Sequence, residues 1–173
     1  MNDFTTHVHE AGHGVMAYLW QAGPVRIEPF NRGDDTYGVS FSNTGLHQDQ
    51  INSGNPKDRQ LVQKCILVAM AGPAAEYLFS GTAANFETDA EDALEQLRFI
   101  QPEATLSSLE SYANTAQRIL AEPRNWGAVM ALAEALREKR KLTGDEAKEI
   151  LRNSRQLAEP PFPPVEITIE QGR

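Results

Sequence analysis

His9, Glu10 and His13 fall in the stretch "HEAGH", two imidazoles four residues apart with a carboxylate between them. On a helix, positions i and i+4 lie one above the other on one face, so His9 and His13 can present ring nitrogens to a single cation. Neutral imidazole suits Zn²⁺, and zinc lowers the pKa of its water towards neutrality. Glu10 is about 100° further round the helix, beside such a metal rather than on it. A carboxylate there takes a proton as hydroxide attacks a carbonyl and delivers it to the leaving amine. The residues therefore predict metal-dependent hydrolysis, with Zn²⁺ as cofactor and Glu10 as the catalytic base. Ala11 and Gly12 leave room for the metal and for a crossing helix. His7 is about 200° round from His9, cannot share the site, and reads as an exposed or supporting histidine.

Two histidines leave a catalytic zinc one protein ligand short. The candidates are His47, Glu76 and the acids of "ETDAEDA": Glu87, Asp89, Glu91 and Asp92. His47 lies in a polar, Gly/Asn-rich stretch, which makes a poor anchor. Composition does not choose among the acids, most of which must be solvated or sit as helix-start charges favoured by the macrodipole.

The elements that must position these groups follow from patterning. A first helix is expected over about residues 3–21, stopped by Gly23-Pro24. "VRIEPF" and "TYGVSFS" read as two strands of a hairpin around "NRGDD", and residues 43–56 as a polar loop. Pro56 opens a second helix reaching about Phe79, apolar on most faces and so central, with a kink or break expected at Gly72-Pro73. An acidic helix over about 87–100 follows. Three more are expected: about 106–121 with "SSLE" as a capping box, about 123–141, and one after Thr143, whose "TGDE" offers an N-cap and a glutamate three residues on. The tail from residue 156 is Pro-rich and reads as an extended arm.

A chain of 173 residues suffices for one domain with a core. A formal net charge of −8 without a basic cluster argues against nucleic acid as a partner. The one cysteine, Cys65, cannot form an internal disulfide and reads as a small buried hydrophobe. No apolar stretch reads as a membrane span and no signal peptide precedes the motif, so a cytoplasmic location away from membranes is the expectation.

Three segments together resemble the peptidase domain of the FtsH-type zinc metalloproteases, the M41 peptidases. "HEAGHGVMAYL" is close to that family's H-E-A-G-H and its apolar helix, "VAMAGPAAEYLFSG" to its "GGRAAE…FG", and "ETDAEDALEQLRFI" to its "SNDLxxAT". "LAEALREKRKLTGDEAKEIL" is similar to the family's last two helices, so the resemblance runs from about His9 to Leu151. It implies zinc on His9, His13 and Asp89, Glu10 as base, and Glu76 as a residue that supports the site without binding metal. It implies a mainly α fold, an FtsH-peptidase-like array of about five to six helices with a small β-hairpin near the active site. That domain would span 1–155, with 156–173 as the tail. Its edge strand, matched best by "TYGVSFS", would hold substrate backbone by strand addition.

Three departures qualify the match, the first being that the region after Ile100 lacks the family's "WGMS"-like stretch. Pro73 stands where the family usually has arginine, so a buttressing polar contact is not supplied. No G-x-x-x-x-G-K-[ST] occurs, so ATP-driven unfolding and a membrane anchor do not carry over. The expectation is a stand-alone zinc endopeptidase cutting peptides or already unfolded polypeptides, working alone, as a homo-oligomer, or beside a separate ATPase partner. The alternative is a catalytically silent, metal-binding partner subunit of an FtsH-type or other ATP-dependent protease complex. A helical domain with an accidental "HEAGH" is the blandest reading.

Overall fold

The computed structural model describes residues 3–20, 51–84, 86–139 and 142–156. The fold is mainly α. Its elements are α1 (Asp3–Leu19), α2 (Pro56–Ser80), α3 (Phe86–Arg98), a 3₁₀ turn (Leu106–Leu109), α4 (Glu110–Leu120), α5 (Pro123–Lys139) and α6 (Gly144–Gln156). The expected hairpin and the Pro-rich tail lie outside the described residues.

Local chemistry sets the helix boundaries. Asn55 caps α2 by accepting from the Lys57 N–H at 3.0 Å, and Pro56 occupies the first turn, where its missing N–H costs nothing. Gly81 ends α2 with φ 77°, a left-handed conformation that glycine adopts without penalty, and returns its N–H to the Tyr77 carbonyl at 2.8 Å. Before α6, Thr143 and Glu146 form the reciprocal cap: the Glu146 N–H donates to Thr143 Oγ1, and the Thr143 N–H donates to Glu146 Oε2. Ahead of α4 the capping falls earlier than "SSLE". The Thr105 N–H donates to Ser108 Oγ at 3.1 Å, and the chain makes a 3₁₀ turn before the α-helix begins.

α1 and α2 run antiparallel through the middle of the molecule. Phe4, at the start of α1, meets Phe79, at the end of α2, edge to face at 5.6 Å. Lys64, near the start of α2, lies over Trp20 just beyond the end of α1. α2 is flanked by α3 and α4, whereas α1 is flanked by α5 and touched by α6. The core is continuous from Val8, Met16, Ile66 and Met70 out to Leu132 and Leu151. Each large aliphatic side chain removed from water there contributes about 1.5–3 kcal/mol.

Two expectations about α2 need correction. The helix runs unbroken through Gly72-Pro73. Packing on three sides holds it together although Pro73 brings no N–H to the ladder. It is also, by length and composition, long and apolar enough to cross a membrane. Here it is packed as a core helix, with most of its apolar window buried. Cys65, on the flank of α2, is half-buried rather than fully enclosed.

Candidate metal centre

The site forms where α1 crosses α2, and the crossing is close because both helices present small residues. A Cβ on Gly12 would come within 2.5 Å of the Ala71 carbonyl oxygen and 2.6 Å of the Ala75 Cβ. Only glycine permits α1 to sit this near α2. This proximity brings the imidazoles of His9 and His13, one helical turn apart, against the α2 backbone at Gly72. Both rings are buried, as is Glu10 between them.

Each ring is held by its Nδ1 atom. His9 Nδ1 pairs with Glu76 Oε2 at 3.1 Å, and His13 Nδ1 with the Val68 carbonyl at 2.7 Å. Carbonyl and carboxylate oxygens only accept, so each Nδ1 carries the proton and donates. This fixes the tautomer of the neutral rings: both Nε2 atoms are then acceptors, and they face each other at 3.2 Å. Asp89, in the first turn of α3, closes the group with Oδ2 at 3.0 Å from His9 Nε2 and Oδ1 at 3.6 Å from His13 Nε2.

Two imidazole lone pairs and a carboxylate thus converge, with ligating atoms all within 4.8 Å of one another. With both rings neutral, three acceptors with no donor among them repel, so either a proton on one ring or a metal ion between them relieves the site. Two neutral histidines and an aspartate are also the donor set of a catalytic zinc, three protein ligands with a position left for water or substrate. The residues fit that group, and their Nδ1 contacts are the kind that orient metal-binding imidazoles.

The electrostatics carry the same message. Burial opposes protonation of His9. The hydrogen bonds to Asp89 and Glu76 and the charges of Glu10 and Asp89 outweigh it and raise its pKa above 6.5. Burial, reinforced by neighbouring His9 and only partly opposed by Asp89, lowers His13 to about 4. The pocket therefore favours one positive charge and resists a second. With no metal bound, a proton on His9 meets that demand by bridging to Asp89.

Glu76 does more than orient His9. It is essentially fully buried, and its other oxygen, Oε1, accepts the Ala84 N–H at 2.8 Å. One carboxylate therefore ties α1 to the connection that delivers α3 and Asp89.

The remaining candidates fall elsewhere. Glu87, Glu91 and Asp92 are exposed on α3 and are not part of the His9–His13–Asp89 group, and His47 lies outside the described residues. His7 is not exposed. It is buried and packs near Phe4 with ring centroids 6.4 Å apart, because α1 is enclosed on nearly all sides. It takes no part in the His9–His13–Asp89 group. Sequence reasoning missed the Val68 carbonyl, whose role no side-chain pattern reveals, and the contact at Gly72. A glycine in the middle of a buried helix was the available signal, since it costs about 1 kcal/mol relative to alanine and implies a packing reason. No family model matches the chain, and no curated protein matches it.

Proposed function

We propose that this chain is a zinc-dependent endopeptidase of the FtsH-type (M41) class. One observation carries the reading: two buried imidazoles with Nδ1 committed and Nε2 aimed at a shared carboxylate. The ordered motifs around "HEAGH", "AGPAAE" and "ETDAEDA" add the family resemblance.

His9, His13 and Asp89 would hold Zn²⁺. When bound, the metal would supply Lewis acidity, activating a water and polarising the scissile carbonyl. Glu10, buried beside His9, is the chain's own base: it takes a proton from the attacking water and returns it to the leaving amine. Its charge already acts on His9, raising that ring's pKa. Glu76 holds His9 in the tautomer that leaves Nε2 free to ligate. The substrate would be an extended peptide or an unfolded polypeptide, with any ATP-driven unfolding supplied by a separate partner.

The test is cleavage of casein by zinc-loaded protein. Glu10→Gln preserves size and leaves the ligands intact but cannot accept the proton, so activity should fall about 10²–10⁴-fold while zinc content is unchanged. Equal cleavage by the two proteins would remove Glu10 from the mechanism. A zinc-loaded wild type inert on every unfolded substrate, yet captured in a stoichiometric complex with an ATPase, would favour the silent-subunit alternative.

A further inference from the structure

Gly72 is the point where α2 touches the metal centre. A Cβ built there would overlap His13 Nε2 and its neighbouring Cε1, and would lie 2.6 Å from His9 Nε2. Both overlapped nitrogens are the ligating ones. Any cation bonded to both must lie in the gap beside them, at about 2.0–2.1 Å from each nitrogen. A methyl on residue 72, overlapping both nitrogens, would crowd any cation bonded to them.

The rings have little freedom to withdraw. His13 is anchored through Nδ1 to Val68, on the same helix and four residues before Gly72, and His9 is anchored to Glu76, four residues after it. The anchors therefore bracket the glycine at one-turn spacing along a single face of α2. Moving α1 away would give up the close packing of Gly12 on Ala71 and Ala75.

We infer that Gly72 is a specificity-determining residue of the metal centre: its absent side chain is the space that admits a cation between His9 and His13. This inference rests on the zinc reading above. It is distinct from the ligand assignments, since Gly72 offers the metal no atom. It also explains a glycine that the helix otherwise disfavours. The φ angle at residue 72 is not left-handed, so backbone conformation does not demand glycine there.

The experiment compares zinc affinity and metal-free thermal stability for wild type, Gly72→Ala and Gly127→Ala. Gly127 lies on the exposed side of α5 with open space around its Cα, so alanine there reports the ordinary helical gain. Gly127→Ala should bind zinc like wild type and melt slightly higher. Gly72→Ala should bind zinc at least ten-fold more weakly and melt lower than wild type. A second background keeps the test decisive if Gly72→Ala folds poorly: in His9→Ala/His13→Ala protein, adding Gly72→Ala should no longer destabilise, because the overlapped atoms are gone. Wild-type zinc affinity in Gly72→Ala would overturn the inference and leave the zinc reading standing. The same loss of stability from Gly72→Ala with and without the histidines would also overturn it. Failure of wild type itself to bind zinc would end both.

Discussion

The α1–α2 crossing and the α5–α6 junction are both made from apolar helix faces, but they treat charge in opposite ways. At the α5–α6 junction charges stay in water. Lys139 pairs with Glu146 at 2.8 Å, both half-exposed, and Glu146 doubles as the cap of α6. At the α1–α2 crossing four ionisable residues, His9, Glu10, His13 and Glu76, are buried together. Burial makes every unmet hydrogen-bonding requirement expensive, so the crossing has to specify its partners atom by atom. It does so at both Nδ1 atoms and at Glu76, and then brings three acceptors to one point. The exposed junction stabilises a helix end, whereas the buried crossing creates a demand for positive charge.

The largest effect expected from breaking this contrast is at His13. His13→Ala removes one ligating nitrogen, and zinc affinity should fall by more than a hundred-fold, beyond the range seen when only a supporting partner is lost. Calorimetry or a competing chelator would measure it. Affinity within a few-fold of wild type would place the metal elsewhere.

Glu76→Gln comes next. It keeps the shape but weakens the acceptor for His9 and changes the partner of the Ala84 N–H. Zinc affinity should drop about 10–100-fold. Because Glu76 also secures the connection to α3, the metal-free variant should melt lower. A loss of stability with no change in affinity would make Glu76 a packing residue only.

The two histidines separate under pH. Metal requires both rings neutral. His9, with its pKa above 6.5, holds a competing proton through the mildly acidic range, whereas His13 stays neutral down to about 4. Zinc affinity should therefore decline as pH falls, with about one proton displaced per metal until pH approaches 4. For folding, the signs are opposed. His13, depressed in the native state, costs stability as pH drops from about 6.5 to about 4, because the unfolded chain binds the proton more readily. His9, raised, contributes stability below 6.5 that is lost as pH rises through its folded pKa. Two protons displaced per metal near pH 6 would contradict this assignment.

The smallest effect lies at the exposed junction. The Lys139 partner and the Thr143 cap hold the Glu146 carboxyl near pKa 2, so its contribution is present above about 4.5 and lost as pH falls towards 2. Glu146→Gln retains an oxygen for the Thr143 N–H, and solvent screens the ion pair. The melting temperature at neutral pH should barely move, and zinc affinity should not move at all. A large effect on either would mean that the two regions are coupled.

What the sequence disclosed follows the same division. Local signals were legible because their physics is local: Pro56 opening α2, Thr143 and Glu146 capping α6. The pairing of His9 with His13 was legible because helical spacing alone puts them on one face. The choice of Asp89 was not legible in composition or periodicity, and only the family resemblance pointed to it. The buried stripe of α3 is Ala90, Ala93, Leu94 and Leu97, and Glu87 and Asp89 flank it on opposite sides. Which flank meets the histidines depends on how α3 rolls against α2, a tertiary fact with no periodic signature. Gly72-Pro73 misled for a related reason. Read along the chain the pair signals a kink or a break, whereas α2, packed on three sides, continues unbroken through it and uses the glycine for close approach.

The central claim is that three converging acceptors favour a bound metal ion over the proton that otherwise joins them, and Asp89→Asn tests it most directly. Asparagine keeps the size of aspartate and brings its own N–H donors, which can satisfy the imidazole nitrogens without metal. In a zinc titration of metal-free protein near neutral pH, wild type should take up a single zinc ion per chain tightly, and Asp89→Asn, equally well folded, should not. Uptake of zinc by Asp89→Asn as tight as by wild type, or no uptake by wild type, would contradict the account.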